Sequence, residues 1–505
     1  MTTRRRSEQY KPLLLSTTMR NPERIRPFLE IIKKFDGQVL TNDLCIAIEG
    51  ELIRKGLYQP NRRSPEVVEK WRDSVDLEDH EVLKILEDNP QRHGEAGFAY
   101  GWPSRFDTHF ALMKRFGFVF YKIGEKVEFS ELGNLFIERI GDSGAESDYK
   151  YEESFVFLNA FVNYHRRNPF QRILNHNRPL VLLLRVIKQL ELKLGPDSPG
   201  IARHELPFLL VWRDDDYVAL TDFIVEFRQK HKFSPSEETV FENCEKILGR
   251  SPGVRMHTLV AEEPDEILRK FRLTGLFSLR GNGRFVSLNS DQSQLIEYIL
   301  AKHSALIEFS TEIEYFHFAS RIDTEMLRIV SVDQGHSAEV DELLLDKWVA
   351  YFGLDQIKRE LVLLSKKRPS THDLLKLVSN PVRLEFLTAL HLRASNPLWA
   401  VLPHYRSDDE GFPTSHAPGN TPDIEVFVEG NVFIYEVTLI TGRSQLTLEM
   451  IPITRHLESR RSEFPGASMV FIAPSIHADA NRYSDYLLAT EGLIIRNQSI
   501  EEFVA

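Results

Sequence analysis

The stretch Thr421-Pro422-Asp423-Ile424-Glu425-Val426-Phe427-Val428-Glu429-Gly430-Asn431-Val432-Phe433-Ile434-Tyr435-Glu436-Val437-Thr438 decides the architecture of the C-terminal third of this 505-residue chain. Residues 424–428 and 432–438 are strand-like runs, and Glu429-Gly430-Asn431 between them has turn chemistry. A hairpin centred between Glu429 and Gly430 sets Asp423 opposite Glu436 on the neighbouring strand, about 5 Å away at the backbone. Magnesium binds through one or two such carboxylates, keeps several waters and takes its remaining ligands from phosphate. Held there, it activates water and screens charge on a phosphate. Asp423 also reads as a plain turn residue after proline. Glu436 is the less ordinary of the two, because it stands between Tyr435 and Val437 in an otherwise apolar strand.

Working outward, residues 447–464 read as a helix in spite of Pro452, and Glu449 and His456 then lie two turns apart on one face. Upstream, the spacing predicts a helix over 372–394 that carries Glu385 among Leu384, Phe386, Leu387 and Leu390. A Pro/Gly/Asp/Ser-rich loop follows over 403–422, and further strands are expected at 469–473 and 493–496. The order helix, strand pair, helix, strand, helix, strand is the core layout of a PD-(D/E)XK nuclease. The motif is incomplete, since Thr438 stands where the pattern has lysine.

The N-terminal half reads as mainly helical. Amphipathic helices are expected at 22–35 and 41–56. Residues 106–137 give a helix, a hairpin turning at Gly124-Glu125-Lys126, and a short helix capped by Ser130, which is the wiring of a winged helix. The same order recurs over 264–299, with the turn Arg280-Gly281-Asn282-Gly283-Arg284. Lys114 and Arg115 on the first helix, Arg280 and Arg284 at the second hairpin, and Arg20 and Arg105 elsewhere are the candidate DNA contacts. Such charges are more often a solvated face.

Composition bounds these readings. With 42% hydrophobic and 27% charged residues, the chain is an ordinary globular sequence, long enough for two to four domains. Cys45 and Cys244 are too few for a disulfide framework or a four-cysteine zinc site. No apolar run spans a bilayer, and Arg4, Arg5 and Arg6 lead into no signal core, so a cytoplasmic protein without a membrane partner is expected. The net charge of −11 argues against simple nonspecific nucleic-acid binding, although an acidic total can hide a basic face beside a carboxylate-rich metal site.

Several separate blocks, in order, resemble the AlwI family of type IIS restriction endonucleases, which includes nicking enzymes. They are LLLSTTMRNPERI (13–25), FDTHFALMKRFGFVFYK (106–122), FSELGNLFI (129–137), GIARHELPFLLVW (200–212), NPVRLEFLTAL (380–390), TPDIEV (421–426) and FIYEVTLITGRSQ (433–445), followed by the helix bearing Glu449 and His456. The resemblance implies a multidomain protein in four parts: a mainly α recognition region with winged-helix elements over 1–150 and 151–300, a helical linker over 301–370, and an α/β PD-(D/E)XK nuclease domain over 371–505. It implies Mg2+-dependent cleavage of double-stranded DNA outside a short asymmetric recognition sequence. Asp423 and Glu436 then match the metal pair, and Glu385, Glu449 and His456 the supporting catalytic residues. The task of the absent lysine falls to His456, a second metal or Arg443. One catalytic domain cuts one strand, so double-strand cleavage would need a transient homodimer or a partner nuclease subunit. Two other functions compete: a structure-selective repair or recombination nuclease, and a DNA-binding regulator with a degenerate nuclease domain.

Overall fold

The computed structural model describes residues 8–15, 22–73, 75–137, 153–171, 173–333, 342–418 and 421–505. The chain divides into two compact units, Met1–Ile46 with Arg92–Gly335 and Ala47–Gln91 with His336–Ala505. Arg20 lies outside the described residues. Among those described, no helix is long and apolar enough to cross a membrane, and both cysteines are buried and free.

In the first unit, the helix Trp102–Arg115 leads to the antiparallel strands Val119–Phe120 and Glu128–Phe129 and then to the helix Glu131–Ile137. Ser130 caps that helix as its sequence signals, its Oγ accepting from the Gly133 amide at 2.9 Å. Gly133 is required for a second reason, because a Cβ there would meet the Phe118 carbonyl oxygen at 2.1 Å. The order repeats in the helix Glu263–Arg272, the hairpin Phe277–Arg280 and Phe285–Leu288, and the helix Ser293–Lys302. Ile201–Ala202 adds a third strand to this hairpin. Phe161 joins the two halves, its ring 4.9 Å from Phe116 and 5.1 Å from Phe271. The HELPFLL block is structural in part: buried Glu205 receives both Nε and Nη2 of Arg228, at 2.8 and 2.7 Å.

The second unit is built on a five-stranded sheet. Its strands are β1 (Ala400–Pro403), β2 (Ile424–Val428), β3 (Asn431–Val437), β4 (Ser468–Ala473) and β5 (Ile495–Ser499), in the spatial order β5-β4-β3-β2-β1. β1, β2 and β3 pair antiparallel, whereas β3, β4 and β5 pair parallel. The parallel pairs need crossovers. These are the helices α2 (Ile451–Glu463) and α3 (Ala478–Glu491), while α1 (Asn380–Ser395) precedes the sheet and α4 (Ile500–Val504) ends it.

Side-chain alternation along β3 sorts the two faces. Val432 and Ile434 enter a core with Met450, Ile453, Leu457, Met469, Phe471 and Leu487. Tyr435 faces the other way, toward Phe503 of α4, which also packs on His391 of α1 at 4.7 Å between ring centres. The helix expected from 372 begins only at Asn380, behind a 3-10 turn at Leu375–Leu377. Pro381 explains the delay, because it has no amide proton to donate to the carbonyl four residues back and suits the first turn. The ribbon of Arg406–Ser407 with Pro413–Ser415 lies within the loop expected over 403–422, and strand β1 lies just before it, ending at Pro403.

Candidate active site

The β2–β3 hairpin has the register expected from its turn. Glu429 and Gly430 have φ values of 49° and 81°, the left-handed pair of a two-residue turn, and Asn431 pairs with Val428 through to Tyr435 with Ile424. The next positions along these strands are Glu436 and Asp423. They are joined by the Val437 amide, which donates to Asp423 Oδ2 at 2.8 Å. Glu436 and Thr438 continue the face of Val432 and Ile434, so the apolar core gives way to carboxylates at this end of β3. Glu436 is buried and Asp423 is partly open.

The flanking helix supplies the rest. Residues Leu446–Met450 form a π-helical turn that runs directly into α2. Pro452 accounts for the widened turn, since it has no amide proton for the carbonyl four residues back. A second π turn, Thr258–Glu262, likewise precedes a proline, Pro264. The helical geometry brings Glu449 and His456 to the same carboxylate cluster: Thr438 Oγ1 donates to Glu449 Oε1 at 3.0 Å, and His456 Nδ1 lies 2.7 Å from Glu436 Oε1. Glu385, buried on α1, has His416 Nδ1 at 2.7 Å and the Ala417 amide at 3.2 Å.

The electrostatics show that these groups share one field. Desolvation drives the Asp423 carboxyl well above its usual range, and the charges of Glu436, Glu385 and Glu449 add to the rise against the pull of the Val437 amide. Desolvation likewise raises Glu436, with Glu449, Glu385 and Glu425 adding to it. Burial first, and then Arg455, lowers the basicity of His456, which therefore sits beside Glu436 as a neutral imidazole near pH 7. Among the described residues, no group of three or more His, Cys, Asp or Glu side chains is placed to hold a metal ion. The Asp423 and Glu436 side chains offer carboxylate oxygen, the donor type that a hard divalent cation takes while keeping part of its water shell.

The strand reading passed over Glu425. It is fully buried, bonded to His404 Nε2 at 2.9 Å and to Arg460 Nη2 at 2.8 Å, and these partners lower its pKa against desolvation. A charged residue flanked by buried Ile424 and Val426 is the available signal, because two successive strand residues cannot both face an apolar core. His404 and His416 carried no such signal.

The remaining candidates lie in the first unit. Lys114 is buried, with Nζ 4.6 Å from the ring centres of both Tyr121 and Phe170, and burial lowers its pKa. That environment gives it a packing role, in contrast to the phosphate contact expected of it. Arg115 spends donors on the Ala111 and Leu15 carbonyls, and Arg105 lies 3.1 Å from His93 Nε2. Arg280 reaches Ser287 Oγ at 3.1 Å, and Arg284 is exposed at the hairpin turn, where Gly281, Asn282 and Gly283 all have positive φ. Arg443 is exposed and 3.5 Å from Asp479.

A family model described as AlwI restriction endonuclease matches residues 114–330 and 354–485, a span containing all five candidate catalytic side chains. The chain belongs to the AlwI restriction endonuclease family. AlwI-family membership makes it a restriction endonuclease by family, a site-specific nuclease. Among solved structures it is similar to the small subunit of the heterodimeric restriction endonuclease R.BspD6I, with 20% identity, 29% of this chain and 74% of that one covered, and a TM-score of 0.25. It is also similar to restriction endonuclease FokI, with 10% identity, 97% and 95% coverage, and a TM-score of 0.22. FokI bound to DNA gives 10% identity, 99% and 95% coverage, and a TM-score of 0.23. No curated protein matches it.

Proposed function

We propose that this AlwI-family chain is a type IIS-like endonuclease of the PD-(D/E)XK kind. On this reading it recognises a short asymmetric DNA sequence through its N-terminal winged-helix elements and hydrolyses one phosphodiester outside that sequence with Mg2+. The observation that carries the reading is the hairpin register, which sets Asp423 beside Glu436 with Glu449 and Glu385 in the same field. Asp423 and Glu436 hold the ion. Bound there, Mg2+ would make water a better nucleophile and screen the phosphate.

The protein's own groups keep that site in order. The Val437 amide fixes one oxygen of Asp423, and His456 fixes one oxygen of Glu436, leaving each carboxylate a second oxygen for the ion. Thr438, at the lysine position of the motif, tethers Glu449. Arg280 and Arg284 contribute phosphate contacts from the second hairpin. In this reading recognition lies in 1–150 and 151–300, apart from Ala47–Gln91, which packs in the unit of the nuclease sheet, with a helical linker over 301–370 and the nuclease domain over 371–505.

The test is plasmid cleavage with Mg2+ by the wild-type chain, Asp423→Ala and Glu436→Ala, with DNA binding measured alongside. Both variants should lose cleavage by about a hundred- to a thousandfold, as expected when an essential transition-state electrostatic group is removed, and still bind DNA. Wild-type rates in either variant would remove these residues from the site. An inert wild-type chain that binds DNA would favour the regulator reading, which the threonine at the lysine position supports.

A further inference from the structure

The edge of the sheet that carries Glu436 continues into a second feature. β3 and β4 are parallel, and the Thr438 amide donates to the Ile472 carbonyl at 3.0 Å, so the loops leaving both strands emerge side by side at that edge. Fully buried Gln445 braces them. Its Nε2 donates to the Ile440 and Ser475 carbonyls at 2.9 and 2.7 Å, and its Oε1 accepts from the His477 amide at 2.8 Å. One side-chain amide thus satisfies three backbone groups and fixes the two loops as one floor.

Above this floor lies a cleft of about 480 Å3, lined by Gly442, Ser475 and His477 below and by Arg72, Lys366 and Lys367 at the rim. Arg72 ends the helix Pro65–Arg72, and Gly442 approaches the backbone of Asp73 so closely that a Cβ there would stand 3.2 Å from its carbonyl oxygen. Three cations against one lining carboxylate, Asp73, make the cleft locally basic in a chain of net charge −11. Lys366 pairs loosely with Glu501 at 3.3 Å, both exposed, whereas neither Arg72 nor Lys367 has an ion-pair partner among the described residues. Lys367 also holds φ +52° just past the helix Leu354–Ser365, a left-handed position where glycine is usual. Helix ends do favour cations. That accounts for a basic residue nearby, but not for a lysine in a glycine conformation beside a basic cleft.

We propose that this cleft holds the phosphate backbone of the DNA strand next to the bond being cut, with Arg72 and Lys367 as positioning residues and Gln445 as the brace that keeps the cleft in register with Glu436. This rests on the nuclease reading above. A polyanion is the occupant that the charge of Arg72, Lys366 and Lys367 fits, and the cleft lies at the edge of the sheet that carries Glu436.

The experiment compares the wild-type full-length chain with Arg72→Gln/Lys367→Gly. Both residues are exposed, and glycine suits the backbone at 367, so the melting temperature should hold. Nicking of supercoiled plasmid with Mg2+ is followed from 50 to 200 mM NaCl. Each lost phosphate contact should flatten the dependence of log kcat/KM on log salt by about 0.9, so the double variant's defect should shrink about tenfold across that range. Anisotropy of a labelled random-sequence duplex in EDTA supplies a second slope that needs no cleavage. A wild-type chain that does not nick refutes the nuclease reading, and the binding slope then still judges the cleft. Unchanged slopes in both assays overturn the cleft proposal. So does selective inhibition of the wild type when phosphate replaces chloride at constant ionic strength, which would mark a discrete anion site.

Discussion

Asp423→Asn should leave the chain more stable and inactive, because the charge that serves the ion is a burden without it. Residues directly opposed on antiparallel strands have Cβ atoms about 5 Å apart, and two unit charges at a separation of that order in an effective dielectric of about 20 repel by about 3 kcal/mol. Partial protonation relieves some of this, so a net gain of about 1–3 kcal/mol is expected in metal-free protein. Asparagine keeps an acceptor for the Val437 amide, so no hydrogen bond is lost with the charge. The sign follows from the raised folded-state pKa of both acids. Their favourable contribution is complete below the ordinary values of 3.8 and 4.5 and is lost as pH rises through the folded-state values. The advantage of the variant should therefore be small at pH 4 and largest at pH 8. Thermal unfolding in EDTA reads it as about 2–4 °C per kcal/mol for a domain of roughly 150–250 residues. Added Mg2+ should then raise the wild-type melting temperature and leave the variant almost unmoved. A variant no more stable than wild type at pH 8 in EDTA, or a wild type indifferent to Mg2+, would refute the shared-field account of the pair.

Two further outcomes are expected. If the carboxylate cluster around Asp423 and Glu436 directs water to one strand at a time, as proposed, open-circular plasmid should precede linear product, and linear product should rise more than proportionally with protein; immediate, concentration-independent linearisation would contradict this. In the first unit, burial holds His165 down to about 3, with Nδ1 at 2.9 Å from the Asn163 carbonyl and Nε2 accepting from the Ile307 amide. Its stabilising contribution is present above pH 6.5 and lost as pH falls toward the folded-state value, at about 1.4 kcal/mol per pH unit. Urea unfolding at pH 6.5 and 5 should show that slope, and His165→Asn should flatten it; equal slopes would place the acid sensitivity elsewhere.

The β2–β3 hairpin was legible because its information is local. A two-residue turn at Glu429-Gly430 fixes register, register fixes which residues oppose, and strand alternation puts Glu436 on the face of Ile434. Both helix–hairpin–helix segments were legible for the same reason, through glycine turns and the Ser130 cap. Strand β1 was not. A four-residue edge segment ending in proline has no periodicity long enough to stand out from the loop that follows.

By itself, then, the sequence determined the elements around the site and the residue types that meet there: Asp423 and Glu436 by turn geometry, Glu449 and His456 by helical spacing. Tertiary structure alone decided their surroundings. It turned Lys114 inward under Tyr121 and Phe170, tied Thr438 to Glu449, and seated His416 on Glu385 across 31 residues. It also assigned Ala47–Gln91 to the unit that carries the five-stranded sheet, bringing Arg72 to the cleft beside Gly442. The division follows the range of the forces. Turn and helix preferences act over a few residues and leave a pattern in the chain, whereas burial and charge pairing join distant segments and leave none.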